Sequence, residues 1–157
     1  MASLAYTRGI MRILDGTILL ESTPLKLALA KATYVPSKTE TDLLTFAASE
    51  ADCDNYVGGF GGSSRAAVTA TLAEETGNDR VTTRFSDVTY PGLGGSGGGA
   101  NNNIFGYAVL IREVTSDADS IPIVAFQFFQ NVTTNGEDIL VKFDYDFTNS
   151  GNLRWNV

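Results

Sequence analysis

Apolar and polar residues alternate with a period of two in several stretches of the chain, and this pattern limits the fold more than any other feature. The alternation is clearest at residues 139–148, where Val141 and Phe143 fall on one face and Lys142 and Asp144 on the other. Successive side chains of a strand point to opposite faces of a sheet. The pattern therefore predicts a strand with one buried and one solvated face.

Further strands are predicted along the whole chain. Leucines recur at period two in one early segment, and two alternating segments flank a polar turn at residues 75–79, which predicts a hairpin. Two later segments are apolar on both faces, as central strands are. These strands are expected at residues 25–31, 68–72, 81–85, 104–114, 121–130 and 153–157.

The N-terminal segment predicts a short helix. Ser3 is a candidate cap, and Asp15 with Gly16 ends the pattern. The apolar face carries Tyr6, Ile10, Ile13 and Leu14. Gly9 lies inside this helix and costs about 1 kcal/mol relative to alanine, so tertiary contacts must hold the helix. Residues 42–50 predict a second helical turn with Leu43, Leu44, Ala47 and Ala48 facing inward.

The predicted fold class follows from these elements. We expect one mainly β domain over residues 1–157, an antiparallel β-sandwich or barrel with one or two short helices, of which one is N-terminal. Residues 1–6 are a possible N-terminal arm. Two glycine-rich segments, 52–64 and 91–103, are predicted to be flexible loops because of their glycine content. Neither carries the Gly-Lys-Ser/Thr ending of a phosphate-binding loop, so phosphate binding is not expected there.

Composition argues against several classes of function. The chain has no histidine and one cysteine, which removes the commonest general base and metal ligand and any internal disulfide. The net charge of −7 disfavours nucleic acid as a partner, since phosphate binding depends on cations. No apolar run approaches the roughly 18–20 residues of a membrane span, and no secretory signal is recognised. We therefore expect no catalytic residues, no cofactor, no metal and no membrane partner.

The clusters of carboxylates are better explained as polar surface than as catalytic or calcium-binding sites. Asp144 and Asp146 share one strand face and alternate with aromatic residues, as on a solvated sheet face rather than in a glycosidase site. The pattern of a calcium-binding loop is absent from two further acidic turns, which are Asp52, Asp54 and Asn55 and, later in the chain, Asp117 and Asp119. Asp52 and Asp54 also flank Cys53 and disfavour its thiolate.

The order of motifs resembles a family of small virion structural proteins of tailed bacteriophages. The family pattern opens with a Tyr-x-x-Gly helix and a glycine turn, and continues through a Lys-x-Ala-Leu strand, a Tyr-x-Pro stretch and an Asp-Val-Thr motif to three closing strands. The similar segments here are residues 6–9, 14–16, 26–29, 34–36, 55–59, 87–90, 107–111, 123–128 and 136–143. The Asp-Trp pair that follows the first helix in the family is absent, and Ile18 and Leu19 stand there instead.

The resemblance implies a capsid decoration, or cement, protein. Such a protein sits on the outer capsid surface of the virion, binds the major capsid protein and is a homotrimer at three-fold positions. The N-terminal segment and the glycine-rich loops would reach neighbouring subunits. The residues expected at these contacts are Leu4, Tyr6, Tyr56, Phe60, Leu93 and Trp155.

Two other functions remain open at this point. One is a tail or head-tail connector component of the same virion, because the same strands could build a ring or a tube. The other is a carbohydrate-binding β-sandwich module, which would need an exposed aromatic platform. Assembly symmetry separates the first from decoration, and the exposure of the aromatic residues tests the second.

Overall fold

The computed structural model describes residues 3–75, 80–95, 103–143 and 153–156. This part of the chain is mainly β, with antiparallel sheets and two short helices, which confirms the predicted fold class. The helices are α1 (Thr7–Leu14) and α2 (Leu44–Ser49). The strands are β1 (Ser3–Ala5), β2 (Leu25–Lys31), β3 (Ala66–Val68), β4 (Ala70–Glu75), β5 (Arg80–Phe85), β6 (Val88–Leu93), β7 (Ile104–Arg112), β8 (Ile121–Thr133), β9 (Glu137–Val141) and β10 (Leu153–Asn156).

The strands form three sheets. The largest has five strands in the order β1-β8-β7-β2-β3, with β7 at its centre, as its apolar sequence predicts. A second sheet has the order β10-β5-β4 and contains the predicted hairpin, in which Ala70 lies opposite Phe85. The third pairs β6 with β9.

The five-stranded sheet is buried on both faces. In β2, Leu27 and Leu29 belong to a large core shared with the smaller sheets, whereas Ala28 and Ala30 belong to a second core on the opposite face. The second core also contains residues at the start of both helices and in the connection between β2 and α2. Its aromatic members include Tyr6, Tyr34 and Phe46.

Both helices were predicted, but their inward faces differ from the prediction. Helix α1 follows Tyr6 rather than Ser3, and no side chain caps it. Leu14 is 75% exposed at its end. In α2, Leu44 is exposed, because Leu43 and Phe46 provide the buried contacts.

The glycine-rich segment 91–103 begins inside a strand rather than in a loop. Strand β6 extends through Leu93 and pairs with β9, and Gly94 forms a bridge with Asp54. The remainder of the segment up to residue 102, the hairpin turn at 76–79 and the predicted strand beyond residue 143 lie outside the described residues.

The N-terminal segment belongs to the sheet in this structure. Strand β1 pairs antiparallel with β8. Tyr6 is fully buried, and its hydroxyl lies 2.6 Å from that of Tyr34. Deleting residues 1–6 would remove a core side chain as well as an arm, so that deletion cannot test an arm alone.

Candidate functional site

A buried arginine joins three segments of the chain. The side chain of Arg65 is fully buried just before β3, and its Nε and Nη2 donate to both oxygens of Glu50 at 3.0 and 2.7 Å. Its Nη1 donates to Glu113 at 3.0 Å and to Asp117 at 2.5 Å. Glu50 ends α2, and the other two carboxylates follow β7. We call these four residues the ionic cluster.

The three carboxylates keep Arg65 ionised. Burial alone would lower the pKa of Arg65, but its hydrogen bonds to Glu50, Asp117 and Glu113 and the negative charge of Glu50 raise the pKa instead. The ring of Phe46 lies 5.8 Å below the guanidinium carbon. A planar guanidinium suits this position, because its donors diverge in a fixed fork and it stays ionised.

A second cation contacts Glu113. Lys26 of β2 lies 2.5 Å from the other oxygen of that carboxylate. Burial alone would raise the pKa of Glu113, but the hydrogen bonds from Lys26 and Arg65 and the backbone amide of Gly61 outweigh it and lower the pKa.

This shift predicts a loss of stability in acid. Because the folded-state pKa of Glu113 lies below its unfolded value, its contribution is present above about pH 4.3, the usual glutamate pKa, and is lost as the pH falls through the folded value. We expect Glu113→Gln to reduce stability at pH 7 and to weaken the dependence of unfolding free energy on pH below 4.3. Urea titrations between pH 3 and 7 test this, with the exposed Glu137→Gln as the control. If the unfolding free energy of Glu113→Gln depended on pH as strongly as that of the unmodified chain, the lowered pKa of Glu113 would not be the cause of the acid sensitivity.

The ionic cluster holds the first glycine-rich segment in place. The amide of Gly59 donates to Glu50 at 2.9 Å and that of Gly61 to Glu113 at 3.3 Å. The amide of Val57 donates to the hydroxyl of Ser64 at 2.9 Å, which closes the loop. We call residues 57–64 the glycine loop. Its backbone is therefore hydrogen-bonded to carboxylates and a hydroxyl at several points.

The glycine loop presents apolar side chains to solvent. Phe60 is 46% exposed and Val57 is 56% exposed. Gly59 and Gly61 on either side of the phenylalanine have φ values of 77° and 73°, a conformation that favours glycine. The glycines on both sides of Phe60 therefore allow the loop to turn tightly while its amides face the carboxylates.

The predicted contact residues are placed very differently from one another. Phe60 is exposed, and Leu4 is half-buried on β1. Tyr6, Tyr56 and Leu93 are buried, which removes them from the candidate contact surface. Tyr56 has a structural reason: its hydroxyl accepts from the amide of Leu29 at 3.0 Å and donates to Glu50 at 3.1 Å. Trp155 lies in β10, and the structure describes its backbone only.

The ionic cluster was missed by the reading of the sequence. Its members are spread from residue 50 to residue 117, and no short motif joins them. The one local signal is the position of Arg65 between a glycine-serine run and a strand. A buried charged side chain needs a partner, but the sequence indicates neither that Arg65 is buried nor which acid pairs with it.

Comparison with known proteins adds no assignment: no protein-family model, no curated protein and no solved structure matches the chain. In the described parts of the chain, no group of His, Cys, Asp and Glu side chains is arranged to hold a metal ion. Neither described helix is long and apolar enough to cross a membrane. Cys53 is buried, and burial raises the pKa of its thiol.

Proposed function

We propose that this protein is a capsid decoration protein of a tailed bacteriophage, without catalytic activity. In this role it binds the outer surface of the major capsid protein as a homotrimer and stabilises contacts between capsid subunits. The ordered series of motifs, which runs through most of the chain, supports the assignment to a virion. The structure adds support for a role in binding another protein.

The observation that carries the proposal is the exposed but braced glycine loop. Phe60 and Val57 stand at the surface, while the amides of Gly59 and Gly61 are hydrogen-bonded to carboxylates below them. Aromatic residues are favoured at the centres of protein interfaces. A loop that is ordered before binding loses less conformational entropy when a partner covers it.

The charge of the protein supports an external position. A decoration protein needs no contact with the packaged genome, and a net charge of −7 would oppose such a contact. Symmetric assembly repeats one contact many times, so a modest apolar patch on each copy can contribute to a stable shell.

A cryo-EM map of the phage particle that carries this chain tests the location. We expect density for the domain on the outer shell at three-fold and quasi-three-fold positions. Density only at the portal or along the tail axis would overturn decoration in favour of a connector or tail role. Absence from the particle would overturn the virion assignment as a whole.

Replacing Phe60 by alanine tests the contact itself. We expect at least a tenfold loss of affinity for capsids that lack the decoration protein, because an aromatic anchor is removed from the interface. The free energy of unfolding should change by less than about 0.5 kcal/mol, since the side chain is surface-exposed. Binding is measured by co-sedimentation with the capsids and stability by urea unfolding.

The matched control is Phe129→Ala. Phe129 is 94% exposed and lies where β8 bulges away from β7, between the pairs Gln127–Tyr107 and Val132–Phe105. It has the same chemistry as Phe60 but no connection to the glycine loop. Full affinity in Phe60→Ala, or an equal loss in both variants, would contradict a specific contact through the loop.

A further inference from the structure

We propose that the outer edge of β1 binds an extended, acidic segment of another protein by strand addition. This inference is independent of whether the protein belongs to a virion. It starts from the register of β1 on β8, in which Leu4 lies opposite Ala125 and Tyr6 follows on opposite Ile123. The amide of Tyr6 donates to the carbonyl of Ile123 at 3.0 Å.

That hydrogen bond determines which backbone groups of β1 point outward. In an antiparallel pair, hydrogen-bonded residues alternate with residues whose amide and carbonyl face away from the neighbour. Since Tyr6 bonds inward, Leu4 also bonds inward. The amides and carbonyls of Ser3 and Ala5 therefore face away from β8, along the open edge of the five-stranded sheet.

Thr7 is the next residue whose backbone groups face outward along this edge, and it is already paired with another segment of the chain. The amide of Thr7 donates to the carbonyl of Lys38 at 3.1 Å. Among the described residues, no backbone group pairs with Ser3 or Ala5 on that side. The edge is thus closed at Thr7 and open over Ser3 and Ala5, which leaves room for a short added strand.

A groove of about 400 Å³ runs beside this open edge. Its apolar wall includes Leu4 and Ile10, both half-buried, and Met11, which is 61% exposed. In strand addition, main-chain hydrogen bonds supply affinity and pockets for alternate side chains supply specificity. The groove offers an incoming strand both kinds of contact.

Charge identifies the kind of segment that fits. Lys38 is the charged residue among those that line the groove, and within the described residues it forms no ion pair. Arg8, in the first turn of α1, does not line the groove and donates to the carbonyl of Thr41. A second copy would bring another Lys38 to the interface, whereas an acidic strand complements this lysine.

Binding of a synthetic peptide tests the proposal. The probe is a capped hexapeptide of alternating Glu and Val, with a fluorescent label, and its counterpart alternates Lys and Val. We expect saturable anisotropy changes with the Glu/Val peptide and at least tenfold weaker binding of the Lys/Val peptide. The amide protons of Ser3 and Ala5 should become protected from exchange in the complex. Equal binding of both peptides, or no protection at these two amides, would overturn the proposal.

Two variants separate the backbone and charge contributions. Ala5→Pro removes an outward donor while leaving the inward hydrogen bonds of Leu4 and Tyr6, and we expect at least a tenfold loss of peptide affinity. Lys38→Glu should weaken the Glu/Val peptide several-fold, whereas Lys142→Glu, the same charge change at an exposed lysine outside the groove, should not. Loss of affinity in the Lys142 variant equal to that in the Lys38 variant would contradict a local charge effect.

Concentration-dependent dimers abolished by Ala5→Pro would assign the edge to a second copy and overturn the acidic partner.

Discussion

Replacing Arg65 by alanine is expected to lower the free energy of unfolding by about 3–5 kcal/mol, the usual cost of removing one partner of a buried ion pair. The guanidinium is fully buried and supplies four hydrogen bonds to three carboxylates. Without it, the side chain of Glu50, which is 4% exposed, loses its cation while staying out of water. Native domains are stable by only about 5–15 kcal/mol, so the variant would be close to unfolding.

Urea unfolding at pH 7 measures this effect. Arg12→Ala is the control, because Arg12 forms a single exposed pair with Asp15 and its loss should leave stability close to that of the unmodified chain. Arg65→Lys keeps the charge but not the fork of donors, and we expect a stability between those of the alanine variant and the unmodified chain. Equal stabilities of Arg65→Ala and Arg12→Ala would show that Arg65 is not buried among carboxylates.

The ionic cluster also has a local consequence that stability alone does not report. Buried ion pairs often stabilise a fold no better than well-packed apolar residues of the same size. What apolar side chains could not supply is acceptors for the amides of Gly59 and Gly61. We expect hydrogen exchange at these two amides to accelerate in Arg65→Ala by more than global destabilisation accounts for. If the exchange rates of these two amides rose only as much as the rates of core amides, the cluster would not hold the loop.

Much of the sheet structure could be predicted because its signals are local. Alternation at residues 25–31, the hairpin pattern at 68–85 and the apolar run at 104–114 each correspond to a strand in the structure. Period two is a property of a few consecutive residues, and turn residues mark where each strand stops. The end of α1 just before Asp15 and Gly16 was predicted for the same reason, and Gly16 has a φ of 76°.

The faces of short elements were predicted less well. Leu14 and Leu44 are apolar and lie in helical patterns, yet both are exposed. Which side of a two-turn helix is buried depends on where distant strands place it, and one or two apolar residues do not determine this. The opposite error concerns Leu93, which was predicted to be an exposed contact residue because it lies in a glycine-rich segment. In the structure Leu93 belongs to strand β6 and packs in the core.

The candidate site was hardest to predict because it is made of long-range contacts. Phe60 could be proposed from its position among glycines, since a large apolar residue in a polar loop has few other roles. The pairing of Arg65 with Glu50 and Asp117 spans 15 and 52 residues, and nothing local selects these acids from the others. The open edge of β1 likewise follows from its register on β8, which the sequence does not specify.

Replacing Gly9 by alanine is expected to destabilise the protein, although the same change stabilises an isolated helix by about 1 kcal/mol. A Cβ atom at this position would lie 2.6 Å from the carbonyl oxygen of Pro122 and 2.7 Å from the Cα of Ile123. Both are backbone atoms of β8 and cannot move aside as a flexible side chain could. Helix α1 would have to shift away from the sheet, at a net cost on the order of 2 kcal/mol.

The sign of this effect is the sharpest test of how α1 packs. The control is Met11→Ala, an exposed position of the same helix, which should unfold close to the unmodified chain. Because the contact of Gly9 lies beside the carbonyl of Ile123 that accepts from Tyr6, exchange of the Tyr6 amide should accelerate in Gly9→Ala and not in the control. A gain in stability would mean that helix propensity dominates and that α1 does not rest on β8. A loss of stability together with faster exchange of the Tyr6 amide would show that one close backbone contact positions both α1 and β1. The position of the open sheet edge would then depend on the same contact.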